Sequence, residues 1–108
     1  MRELSFIVDG QILKKDPSCN FDDLIPGTYG YLKAKFMFSS AWDGCAKVVG
    51  FYSGSLEYTP MVIDESDTCL FPEDVLKRKS FSIQIFGQRK DFKISTNKVY
   101  INQNGGVL

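Results

Sequence analysis

Three cysteines, two short acidic clusters, one basic run and a single tryptophan are the residues of this chain best equipped for chemistry. Cys19, Cys45 and Cys69 lie far apart, and none makes the Cys-x-x-Cys spacing of zinc or dithiol chemistry. They are expected as small buried hydrophobes in a chain made in a reducing cytoplasm, with one disulfide formed after release from a cell as the alternative. Asp64, Glu65 and Asp67 gather oxygens, yet a calcium loop takes about six ligands and a glycine at its sharp turn. "DESD" supplies neither, so it is expected as a solvated hairpin tip, and Asp22-Asp23 reads the same way. No spacing selects a carboxylate pair for glycoside hydrolysis. No metal and no cofactor is expected.

The chain has no histidine, which removes the commonest general base near neutral pH and the usual partner of a nucleophilic Ser or Cys. Glycine-rich phosphate loops are missing too: the "SGS" stretch falls in a strand turn, and "NQNGGVL" has no helix after it. A basic run, Lys77 to Lys79, together with Arg89 and Lys90 and interleaved with Phe81 and Phe86, is the one candidate for a nucleic-acid patch. Lys plus Arg equals Asp plus Glu at 13 each, so the global excess that displaces counterions from phosphates is lacking. These charges are expected as helix-end and turn charges. The totals point to a non-enzyme.

What remains is aromatic. Tyr29, Tyr31, Trp42, Tyr52, Tyr58 and Phe86 are the candidate interface or ligand-stacking residues, since outward rings on a sheet serve protein contacts or sugar C–H faces alike. Trp42, in "FMFSSAWDG" (36–44), has three readings. It is a plug at the end of a small core, an interface anchor or a sugar platform, and the first is preferred because it sits between two paired strands.

The elements that must position these residues are almost all strands. At 108 residues and 44% hydrophobic content the chain makes one domain with one core. Leu4, Phe6 and Val8 alternate before an Asp9-Gly10 hairpin turn, and Ile12-Leu13 begin the return. Residues 16–30 are a turn-rich connection. In "YLKAKFMFS", Leu32, Ala34, Phe36 and Phe38 fall on one face and Lys33 and Lys35 on the other. "AKVVGFYSG", "LEYTPMVI" with Pro60 marking an edge or a bulge, "TCLF", "FSIQIFGQ", "DFKIST" and "KVYINQ" follow. Residues 71–80, with Pro72 at the first helical position, make one short helical crossover of about two turns at most. The expected fold is all-β: a single antiparallel β-sandwich, immunoglobulin-like or jelly-roll-like, of about eight strands over 1–103, with 104–108 a flexible end. No apolar run approaches a membrane span.

The ordered segments "FIVDG" (6–10), "FMFSSAWDGCAKVVGF" (36–51), "FPEDVL" (71–76), "FSIQIFG" (81–87) and "ISTNKVYIN" (94–102) carry a resemblance. Together they resemble small β-domains of tail, baseplate and appendage proteins from bacteriophages and prophages of Gram-positive bacteria. The resemblance spans nearly the whole chain and implies a non-enzymatic structural or assembly protein. Its implied partners are other phage structural proteins and itself, as a homo-oligomer, with no nucleic acid and no membrane. Such a protein is made in the host cytoplasm and, if structural, ends in the virion. Two alternatives stand beside it: a carbohydrate-binding module for host cell-wall glycans, and a small phage protein that inhibits a host defence or regulatory protein.

Overall fold

The computed structural model describes residues 1–103, and the end expected to be flexible, 104–108, lies outside the described residues. Period-two alternation becomes strand wherever the sequence carries it. Leu4, Phe6 and Val8 are the buried face of β1 (Arg2–Asp9). Asp9-Gly10 then turns the chain into β2 (Ile12–Lys15), with Gly10 at φ 57°, a conformation costly for most side chains. After the long connection come β3 (Leu32–Phe38), a single 3-10 turn (Ser40–Trp42) and β4 (Ala46–Ser53). "LEYTPMVI" divides around Thr59-Pro60 into β5 (Leu56–Glu57) and β6 (Met61–Val62), both antiparallel to β4. β7 (Thr68–Leu70) leads to α1 (Glu73–Leu76), and β8 (Ser80–Arg89), β9 (Phe92–Ser95) and β10 (Val99–Asn102) complete the described chain.

The strands form two sheets. One runs β2-β1-β3-β7; the other runs β10-β8-β4-β5, with β9 also paired to β8 and β6 to β4. Between them lies one core, in which Phe6 stacks on Phe36 at 5.5 Å and Phe51, Phe71 and Phe81 pack edge to face. The all-β sandwich is therefore the observed fold.

One pairing corrects the fully antiparallel expectation: β1 and β3 are parallel, from Arg2↔Leu32 to Val8↔Phe38. The cause is the course of 16–31, which crosses to the far side of β1 and returns the chain to the end where β1 began. Parallel neighbours need such a crossover, where antiparallel ones need only a turn. Arg2 fixes it, donating from its guanidinium to the carbonyls of Asn20 (3.0 Å) and Asp22 (2.7 Å), while its own N–H donates to the Tyr31 carbonyl (2.8 Å).

The helical crossover is one turn long, and Pro72 is its N-cap rather than its first helical residue. Val75 and Leu76 seal that end of the core. Buried Gln103 donates from Nε2 to the Leu76 (3.0 Å) and Arg78 (2.8 Å) carbonyls, satisfying oxygens that a helix end leaves free. At one flank the sheets are joined by Asn97, whose Oδ1 accepts from Leu13 N–H (2.8 Å) and whose Nδ2 donates to the Leu13 carbonyl (3.0 Å). A side-chain amide here does what a strand residue would do.

Candidate interaction surface

Trp42 closes the opposite end of the sandwich from α1. It is 0% exposed, packs 5.3 Å from the Phe38 ring and donates from Nε1 to the Gly10 carbonyl at 2.8 Å. Space for the ring comes from Gly87: a Cβ there would lie 2.6 Å from Trp42 Cζ3. Arg89 then ties down the loop, donating to the Asp43 (2.8 Å) and Ala41 (3.2 Å) carbonyls while its guanidinium stacks on Phe92. This corrects the candidate role of Trp42 as interface or stacking residue. A ring without accessible surface touches no ligand, and the core-plug reading is the one its surroundings fit.

The other aromatics separate into three places. Tyr29 and Tyr31 are exposed in the connection before β3. Tyr58 is half-buried, and its hydroxyl accepts from Arg78 Nε at 2.9 Å. Only Tyr52 and Phe86 come together, on the outer face of the second sheet. Between them Gly50 has no room for a side chain: a Cβ would lie 2.7 Å from the Tyr52 hydroxyl and 3.2 Å from Phe86 Cε2.

That outer face is unusual in its charges. The outward residues of β4 are Ala46, Val48, Gly50 and Tyr52; those facing them on β8 are Gln88, Phe86, Gln84 and Ser82. None is charged. Lys47, on the other side of β4, turns its ammonium to Asp67 (3.8 Å) and over the Phe38 ring (4.8 Å). Flanking strands add Val62, level with Val48 and 74% exposed, and Tyr100, level with Ser82 and 64% exposed. A hollow of about 470 Å³ opens across Val48, Phe86, Gln88, Lys93 and Ser95. A smaller one of about 130 Å³ lies between Tyr52, Ser82 and Tyr100, where Lys98 Nζ sits 4.0 Å from the Tyr52 ring centre. Val62, Tyr100 and Lys98 were absent from the sequence candidates. Alternation alone places Tyr100 outward, because its neighbour Ile101 is core. Nothing local shows that Lys98 reaches across β8 to Tyr52.

Two of the groups with reactive potential, Asp64 and Cys69, are taken up by the framework. The Asp64 carboxylate accepts from the N–H groups of Ser66 and Thr68 and from the Thr68 hydroxyl. The Thr68 bonds are the main reason its pKa falls below the ordinary carboxylate value. Burial, with the Asp64 charge adding to it, pushes the Cys69 thiol up to about 12; all three cysteines are unpaired. Lys77–Lys79 and Arg89-Lys90 do not meet, because β8 separates them by about 30 Å at strand rise. Among the described residues no helix is long and apolar enough to cross a membrane. No known family, curated protein or solved structure matches this chain.

Proposed function

We propose that this chain is a non-enzymatic structural or assembly protein acting through protein–protein contacts, of the kind its motif order resembles in phage and prophage tails, baseplates and appendages. The observation that carries the reading is the outer face of the second sheet, where no outward residue of β4 or β8 is charged, Lys98 alone reaches over it to Tyr52, and Val62 is largely exposed at its side. Surfaces facing only water in a sandwich alternate polar against buried, and charge is depleted where another surface covers them. The Asp64 carboxylate, which holds a turn, and the Cys69 thiol, which lies in the core, agree with the same reading.

The test is mass spectrometry of purified particles from a producing host, with light scattering of the isolated protein. The expected result is the chain in particles at fixed stoichiometry and a defined oligomer in solution. A strict monomer absent from particles overturns the reading.

A second reading, a module for cell-wall glycans, draws on the cleft between Tyr52, Ser82 and Tyr100. It ranks second because Lys98 occupies the Tyr52 face on which a sugar would stack. Binding to host wall preparations that is lost in Tyr100→Ala would raise it above the first. No binding to any wall preparation rejects it.

A further inference from the structure

We infer that the small cleft between Tyr52 and Tyr100 is a binding site for one carboxylate, held between the Ser82 hydroxyl and the Lys98 ammonium. The inference goes beyond the reading of the chain as a module of protein contacts. The presence or absence of the chain in particles leaves it untouched.

The cleft follows from one row of the second sheet. Tyr52, Ser82 and Tyr100 are level with one another on β4, β8 and β10, and all three point outward. Neighbouring strands lie about 4.8 Å apart, so the two tyrosines leave the backbone about 10 Å apart with a short side chain between them. The result is a hollow of about 130 Å³ with Ser82 as its floor and Lys98 at its side.

Two polar groups in it lack a partner. Ser82 is 4% exposed, and among the described residues its hydroxyl makes no hydrogen bond. The Ser53 hydroxyl beside it is already committed, donating to the Ser80 carbonyl at 3.1 Å. A hydroxyl enclosed in this way has given up most of its water without gaining a protein acceptor, which is costly unless a ligand accepts from it. Lys98 is the second. Its ammonium lies over the Tyr52 ring, 4.0 Å from the centre, and makes no ion pair among the described residues. The ring holds the cation in place but offers it no oxygen.

A donor hydroxyl beside an unpaired ammonium suits an oxyanion, and two features choose the kind. Two donors match the two oxygens of a carboxylate. Glu57, level with Tyr52 on the side away from Ser82, opposes a second negative charge, which sets a monoanion above a phosphate dianion. The hollow admits little beyond the carboxylate itself, so the rest of the ligand lies outside it, where the Tyr100 ring is 64% exposed. The Tyr52 face is closed to it by Lys98.

Titration of the isotope-labelled protein with sodium acetate and with sodium glucuronate, at neutral pH and constant ionic strength, tests this through its amide NMR shifts. Saturable shifts at Tyr52, Ser82, Lys98 and Tyr100 are expected below about 100 mM, with glucose silent. Ser82→Ala and Lys98→Gln should each raise the dissociation constant by about tenfold, and Glu57→Gln should lower it. Amide spectra outside the cleft serve as the fold control. Tighter binding of glucuronate than of acetate, abolished by Tyr100→Ala, identifies a sugar acid as the ligand; equal binding identifies a short free acid. Shifts that do not saturate, shifts scattered over the surface lysines, or full affinity in Lys98→Gln overturn the site.

Discussion

Trp42 and Gly87 lie far apart in the chain and meet at this end of the sandwich. The ring fills the volume that any larger residue at 87 would claim, and its N–H satisfies the Gly10 carbonyl at the hairpin turn. Gly87→Ala therefore forces the ring or the strand to shift. Overpacking of this sort costs about 1–3 kcal/mol, which thermal melting should register as a fall of about 4 °C or more. Trp42→Ala removes the plug itself and should cost about 3–5 kcal/mol. An unchanged melting point with lost self-association would return Trp42 to the interface. Cys69 makes a second prediction at this scale. Its folded pKa of about 12 lies above the ordinary 9.0, so between those values the unfolded chain has lost a proton that the folded chain keeps. Deprotonation thus favours unfolding, and the contribution, complete below pH 9, is lost as pH rises towards 12. Denaturant titrations should show stability falling across that window, with a shallower fall in Cys69→Ala. A thiol reagent at pH 8 should label Cys69 only on unfolding, while half-buried Cys19 and Cys45 react in the folded protein.

At the scale of elements, the sandwich depends on how its flanks are closed. Asn97 joins the β9–β10 connection to β2 with both atoms of its amide, and Gln11 Nε2 adds a bond to the Ser95 carbonyl at 3.2 Å. Asn97→Asp keeps the acceptor but sets an oxygen against the Leu13 carbonyl, a loss of about 1–3 kcal/mol. Hydrogen exchange should then quicken at Leu13 and along β2 and remain slow in β8; uniform quickening would mean that Asn97 stabilises the whole core rather than the flank. The sequence discloses strands far better than it discloses such closures. Leu4, Phe6 and Val8, or Phe81, Ile83 and Ile85, alternate because one face of each strand is core, and that period is local. The parallel register of β1 and β3 depends instead on where residues 16–31 travel, and turn chemistry records that a chain bends without recording its destination. The interaction face was half legible for the same reason. Tyr52 and Phe86 are outward by alternation, but their meeting across Gly50 follows from the pairing of β4 with β8. Most segments that carry the phage resemblance fall on this framework, the hairpin turn, the plug, its glycine and the Asn97 clip, so they speak to fold more directly than to function.

For the whole molecule, two sheets sharing one core means that neither sheet has a buried face without the other. Phe6 and Phe36 of the first sheet and Phe51 and Phe81 of the second all lie in the single apolar cluster, sealed by Trp42 at one end and by Val75 and Leu76 at the other. Loss of either sheet exposes the inner face of its partner, at about 25 cal/mol per Å² of apolar surface, so partial structures gain little. Unfolding should accordingly be one transition. The chain's single tryptophan makes this measurable, because Trp42 reports on one end of the core while far-ultraviolet circular dichroism reports on all the strands. In urea the two signals should trace the same curve, with a slope of about 1–2 kcal/mol/M for a domain of this size. Refolding, which must join β1 to β3 across a long connection and β4 to β8 across three short strands and a helix, should take milliseconds to seconds. A fluorescence change that precedes the loss of strand signal would show the Trp42 end opening first. That result would make the plug a separate local unit, and Gly87→Ala would then shift the fluorescence midpoint while leaving the strand midpoint in place.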